Sequence, residues 1–434
     1  MLDRLSCRAG RPARSRRLPA LAIAPSTCGQ PLLAFFVVLL GLCGPFEIGA
    51  ALALSASPEA LAGVAPSDGV RGIWVTRWDF RSARDVDTII ANCARLGFNR
   101  VYFQVRGQGD AFYASELEPR GEELAAGARD FDPLDAALRA AREHGIELHA
   151  WVNVLAGWKG KTPPRDRRHL WHTHPDWFLL DRNGTRYRLD DHYTMLNPCL
   201  TPVREHITAV MLDLVSRYPL DGLHLDYLRF VFPDERRRGD VPYDEATLAL
   251  FRRLEGKAPA EAPERWDSFR RRAVNTAVFR ISEAVRRARP DCRISAAVIR
   301  DLDRGRAVFL QDSPAWLAQG WIDEILPMNY ERDPTKFAAT TRGDIARSSR
   351  DRLIPGLGAH LYRSAAELER QIAITRELGS PGYCLFAYTS FYPTPSHASE
   401  SGTRADALRA ELRAALDRLQ GPDAPDRPST RDGP

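Results

Sequence analysis

From residue 71 onward the chain alternates eight times between a short apolar run, rich in β-branched and aromatic residues, and a stretch with helical spacing. The short runs are residues 71–78, 99–106, 147–154, 222–230, 293–299, 322–330, 352–359 and 382–389. Apolar residues spaced three and four apart mark helices near 84–97, 133–145, 202–217, 266–288, 313–319, 335–348, 364–378 and 403–419. Strict alternation demands parallel pairing, because each helix carries the chain back to the end where the previous strand began. Eight such units, with insertions at 155–200 and 231–265, predict a (β/α)8 TIM barrel, an α/β fold with long loops after strands three and four. An open doubly wound sheet is the competing arrangement, but no GxGxxG or Walker loop follows any of the runs.

The segment before the alternation has a different character. Residues 1–53 hold six arginines (Arg4, Arg8, Arg11, Arg14, Arg16 and Arg17) against Asp3 and Glu47. They carry +4 of the formal +5 charge, so about +1 is left for the rest. That balance offers no basic face, and nucleic acid is not an expected partner. The arginines precede the apolar run "LLAFFVVLLGLCG" at 32–44, with Ala51-Leu52-Ala53 following as a peptidase site. We expect a signal peptide or N-terminal anchor at 1–53, which is also the only expected link to a membrane. A linker at 54–69, the barrel at 70–419 and a disordered tail at 420–434 follow. Either form of leader places the barrel in the periplasm or at the cell surface. Cys93, Cys199, Cys292 and Cys384 are far apart and form no CxxC pair, so free buried thiols are expected and no metal or other cofactor.

A TIM barrel carries its chemistry at the C-terminal ends of its strands. In "DGLHLDYLRF" (221–230), Leu223 and Leu225 face one way, and His224 and Asp226 the other. If the leucines pack against helices, Asp226 points into the mouth, with Tyr227 and Arg229 just beyond. The same alternation turns Tyr102, Gln104 and Arg106 inward on strand two, and His149, Trp151 and Asn153 on strand three. Met328 and Tyr330 turn inward on strand six beside Asn329. Strand one offers Trp78 and Asp79, and strand eight offers Tyr388. Flat rings to stack on, with amides and charges to hold hydroxyls, suit a polymeric glycan.

The 155–200 insertion is long for a connection and carries Trp158, Trp171, Trp177, Phe178, Tyr187 and Tyr193, with His169, His172, His174 and His192. It is expected either to build subsites over the mouth or to fill a small core of its own. The histidines have no zinc-like spacing.

Together "RGIWVTRW", "NRVYFQVR", "LHAWVN", "LNPCLTPVREHI", "DGLHLDYLRF" and "IDEILPMNY" resemble the glycosyl-hydrolase-like family 10. The resemblance runs from about 70 to 395. It implies an exported barrel that hydrolyses peptidoglycan glycan strands or another polymeric glycan, with Asp226 as the strand-four carboxylate and Asn153 as the strand-three amide. Relatives often read Pro-Gln-x-Tyr on strand six, where this chain has Pro327-Met328-Asn329-Tyr330. Glycoside hydrolysis usually needs two carboxyl groups. Asp226 is expected as nucleophile or base and Glu331 as the acid, with Asp79, Asp301 and Asp303 as competitors. Trp78, Gln104, Arg106, Trp151, Asn153, His224, Tyr227, Arg229, Asn329, Tyr330 and Tyr388 are the expected substrate contacts. Two alternatives stand beside hydrolysis. One is a glycan-binding barrel without catalysis. The other is a metal-dependent deacetylase, which requires two or three of His149, His172, His174 and His224 to converge.

Overall fold

The structure, a computed structural model, describes residues 69–395 apart from 125, 126, 129, 188, 190, 191 and 232–240, and also residues 402–420. The leader and tail of the sequence reading lie outside the described residues.

Eight parallel strands close into a barrel. They are β1 (Val70–Val75), β2 (Arg100–Arg106), β3 (Glu147–Asn153), β6 (Gly222–Asp226), β7 (Arg293–Ile299), β8 (Glu324–Asn329), β9 (Gly356–Leu357) and β10 (Gly382–Leu385), with β10 pairing back onto β1. The insertion after β3 holds β4 (Ala156–Trp158) and β5 (Thr194–Met195), an antiparallel pair outside the barrel. The strands are shorter than the apolar runs, because the runs continue into the loops above them.

Helices follow each strand: α1 (Ala83–Arg95), α2 (Pro133–Glu143), α4 (Thr201–Arg217), α6 (Pro263–Ala288), α7 (Leu302–Val308) with α8 (Ser313–Ala318), α9 (Pro334–Arg347), α10 (Ala365–Glu377) and α11 (Thr403–Gln420). Short α3 (Leu170–Thr173) and α5 (Glu245–Glu255) lie within the two insertions. The local chemistry starts these helices where the sequence says. Ser82 accepts from the Asp85 N–H while the Asp85 carboxylate accepts from the Ser82 N–H, a reciprocal cap for α1. Asp132 caps α2, with Pro133 at the first helical position. Val86, Ile89, Ile90 and Cys93 then bury one face of α1.

Period two divides the strand residues between two cores. Outward residues such as Val101, Phe103, Leu148, Val152, Leu223 and Leu225 join the helices in one continuous apolar layer. Inward residues Trp74, Tyr102, Trp151, Leu326 and Cys384 form a second cluster inside the barrel. Below it the N-terminal ends are tied by ion pairs, Arg100 to Glu147 (2.6 Å) and Glu324 (2.8 Å) and Arg293 to Glu324 (3.0 Å). Gly222 has a packing reason, since a Cβ there would stand 2.4 Å from the His149 ring. The floor and middle of the barrel are therefore filled, and chemistry is left to the other end.

Candidate active site

The register of β3 against β6 pairs Trp151 with His224 and Asn153 with Asp226. Parallel neighbours lie ~4.8 Å apart, so Asn153 and Asp226 stand side by side at the C-terminal end of the barrel. The Asp226 carboxylate is tightly held. Its Oδ1 accepts from the Tyr227 N–H (2.6 Å) and from Arg229 Nη1 (2.9 Å). Tyr227 sits in the left-handed region, with φ of 54°. That conformation costs a non-glycine residue about 1 kcal/mol, and it wraps the backbone around the carboxylate. Asn153 donates to the Gly107 carbonyl (3.1 Å), while its buried Oδ1 finds no partner among the described residues. Trp151 Nε1 is likewise buried and without one.

Half-buried rings surround this pair, in contrast to the fully buried layers below. Tyr193 meets Tyr227 edge to face at 4.9 Å, and Arg229 lies 4.4 Å over the Tyr227 ring. Tyr330 stacks on Phe386 at 5.4 Å, and burial raises its phenol pKa well above the ordinary value, with the charge of Asp226 adding to the effect. On the opposite side Arg77 lies 4.1 Å over the Trp78 ring. Arg77 donates to Tyr193 (3.1 Å), Glu123 (3.1 Å) and Gln108 (3.3 Å), and its N–H donates to Gln104 Oε1 (3.0 Å).

Asp226, Asn153, Gln104, Tyr227, Arg229, Tyr330 and Trp78 thus gather at one mouth, and Trp151 reaches it from the packed layer below by meeting Phe386 edge to face at 6.5 Å. Five expected site residues do not. Arg106 follows a register irregularity in β2, where Gln104 pairs with Trp151 but Arg106 pairs with Val152. That shift breaks the alternation. Arg106 is fully buried, forks onto Glu118 through two 2.7 Å hydrogen bonds, and serves the carbonyls of Asn153, Val154 and Ala156. His224 faces inward as expected but one layer too low. Its two ring nitrogens face Trp74 Nε1 (3.0 Å) and Ser295 Oγ (2.9 Å), and burial holds its pKa well below the ordinary value. Asn329 precedes the inward Tyr330 and so turns outward, donating to the Phe337 carbonyl and Thr341 of α9. Glu331 lies past the end of β8 and is engaged locally. Its Oε1 accepts from the Asp333 N–H (3.0 Å) and Oε2 lies 3.8 Å from Arg300. Tyr388 lies in a tight turn beyond the end of β10 and packs toward α1, accepting from Asn92 at 2.8 Å.

Two of the three competing carboxylates are committed elsewhere. Asp301 caps α7 and Asp303 pairs with Arg347. Asp79 is buried, accepts from the Thr76 N–H (2.7 Å), and is pushed up to about 7 by burial. An acid raised in the folded state contributes stability that is full below pH ~4 and is lost as pH rises through 7, worth on the order of 4 kcal/mol at ~1.4 kcal/mol per pH unit. Asp79→Asn should therefore gain melting temperature on the wild type between pH 4 and 7 and hold that gain above pH 7. Thermal melts across that range check it, and a constant difference would contradict it.

The insertion mostly fills its own core, with Trp158, Leu170, Phe178 and Leu179 buried, while Tyr193 reaches the mouth. His149 and His224 lie inside the barrel against Tyr102. His172 faces the Pro164 carbonyl and His174 faces Thr173, both out in the loop. Only His149 and His224 come together, in the packed centre of the barrel, and no third ligating side chain joins them among the described residues, which counts against the deacetylase alternative. Arg77, Phe386 and Lys159 were missed in the sequence. Only Phe386 had a signal there, its shared parity with the inward Cys384.

A family model described as glycosyl hydrolase-like 10 matches residues 69–369. The chain belongs to this family. It is 25% identical over 309 residues to glycosyl hydrolase DigH of Escherichia coli (strain K12), covering 63% of this chain and 65% of that protein. It is 24% identical over 266 residues to glycosyl hydrolase YngK of Bacillus subtilis (strain 168), covering 56% of this chain and 48% of that one. The chain thus spans just under two thirds of the first relative and about half of the second. Alpha-L-fucosidase isoenzyme 2 from Paenibacillus thiaminolyticus superposes with a TM-score of 0.57 at 16% identity, covering 80% of this chain and 49% of that structure. That likeness concerns the barrel fold. The family model ends at residue 369, before β10, so Phe386 at the mouth falls outside the matched region.

Proposed function

We propose that this glycosyl hydrolase-like 10 protein is an exported glycoside hydrolase acting on the glycan strands of peptidoglycan, with Asp226 attacking the anomeric carbon or activating water as the departing glycosidic oxygen takes up a proton from solvent. The observation that carries this reading is the Asp226–Asn153 pair at the strand ends, with the unpartnered Trp151 Nε1 and Asn153 Oδ1 beside it. A donor and an acceptor buried at the edge of an aromatic mouth match the hydroxyl and acetamido groups of an amino sugar. The arginine-rich leader with its apolar run supports export, and fractionation should find the protein outside the cytoplasm.

Purified protein incubated with intact and with peptide-stripped peptidoglycan should release reducing ends from the stripped strands. Binding without release from either would favour the glycan-binding barrel. Glu331→Gln should keep turnover within about threefold, because Glu331 serves the start of α9. A loss of a hundredfold or more would return Glu331 to the role of acid.

A further inference from the structure

The antiparallel pair outside the barrel delivers two residues to the mouth. Lys159 follows β4 and Tyr193 precedes β5, and Trp158 pairs with Thr194 between them. The Lys159 backbone is fixed by donation from its N–H to Gln108 Oε1 at 3.0 Å. Its ammonium lies 5.7 Å from the centroids of both Trp78 and Tyr193. Tyr193 in turn touches Tyr227, the neighbour of Asp226. The other cations here have anionic partners, Arg77 with Glu123 and Arg229 with Asp226. Lys159, half buried, forms no ion pair with any described residue.

We propose that Lys159 is a specificity-determining residue that selects a glycan bearing a carboxylate, binding that group while the sugar ring lies along Trp78 and Tyr193. This rests on the glycan reading of the mouth. A cation beside flat apolar faces, with no anion of its own, recognises a sugar with one stacking face and one negative substituent. The lactyl ether of a peptide-free muramic acid and the carboxyl group of a uronic acid both have this chemistry.

The test compares wild type and Lys159→Met in equilibrium binding to four probes. These are peptide-free peptidoglycan oligosaccharides, the same oligosaccharides with their carboxyl groups amidated, oligogalacturonate, and chitin oligosaccharides. The expected result is about a tenfold weaker Kd for Lys159→Met on the first probe, with no difference on the amidated or chitin probes. Preference for oligogalacturonate would place the carboxylate on a uronic acid. Lys159→Arg should recover most of the affinity, and the melting temperatures should agree. Equal weakening on acidic and neutral probes would overturn the proposal, because Lys159 would then act only by packing the rings. No weakening on any probe would overturn it as well. Failure of the hydrolase reading shows separately, as binding with no released reducing ends.

Discussion

Arg106→Gln should destabilise the fold by ~3–5 kcal/mol, the usual cost of leaving one member of a buried ion pair alone. Arg106 and Glu118 are both fully buried, and their two 2.7 Å hydrogen bonds use both carboxylate oxygens. Burial alone would raise the Glu118 pKa, yet Arg106 and His206 hold it well below the usual carboxylate range. Without the guanidinium that charge is stranded, and the carbonyls of Asn153, Val154 and Ala156 lose their donor. Pairing the change with Glu118→Leu should restore part of the loss, since removing both charges removes the stranded one. Chemical denaturation of the single and double variants measures this. A single variant as stable as the wild type but weakened for substrate would return Arg106 to the mouth.

The fold was legible because the barrel repeats one unit eight times, and each repeat confirms the parity of the next. Leu223 and Leu225 did pack against the helices, which fixed the direction of Asp226. Parity also held the answer for strand six. Once Tyr330 faces in, Asn329 must face out, so its assignment to the mouth ignored a signal that was present, whereas Glu331 lies past the strand end, where parity no longer decides. His224 shows a different limit: period two gives the side of a strand but not the height within the barrel, and one layer separates a substrate contact from a packed core imidazole. Arg106 was beyond the sequence, because nothing in "NRVYFQVR" announces the shift between Gln104 and Arg106. Arg77 and Lys159 arrive from loops, where no period tells which way a long side chain reaches.

Asp226→Asn should fold like the wild type and lose turnover by several orders of magnitude. The amide is isosteric, and its oxygen can still accept from the Tyr227 N–H. Its uncharged oxygen neither attacks an anomeric carbon nor deprotonates water, which removes several kcal/mol of transition-state stabilisation. Asp226 and Arg229 are both buried, so losing the charge opposite the guanidinium at 2.9 Å should cost about 2 kcal/mol, held to that because the amide oxygen can still accept from Arg229. A purely structural Asp226 would give the reverse, a larger loss of stability with turnover kept. Melting temperature and reducing-end release, measured together on one preparation of Asp226→Asn against peptide-stripped glycan strands, decide between them. A melting temperature within a few degrees of wild type and no measurable release is the predicted result, whereas a destabilised variant that still cleaves would contradict the assignment of Asp226.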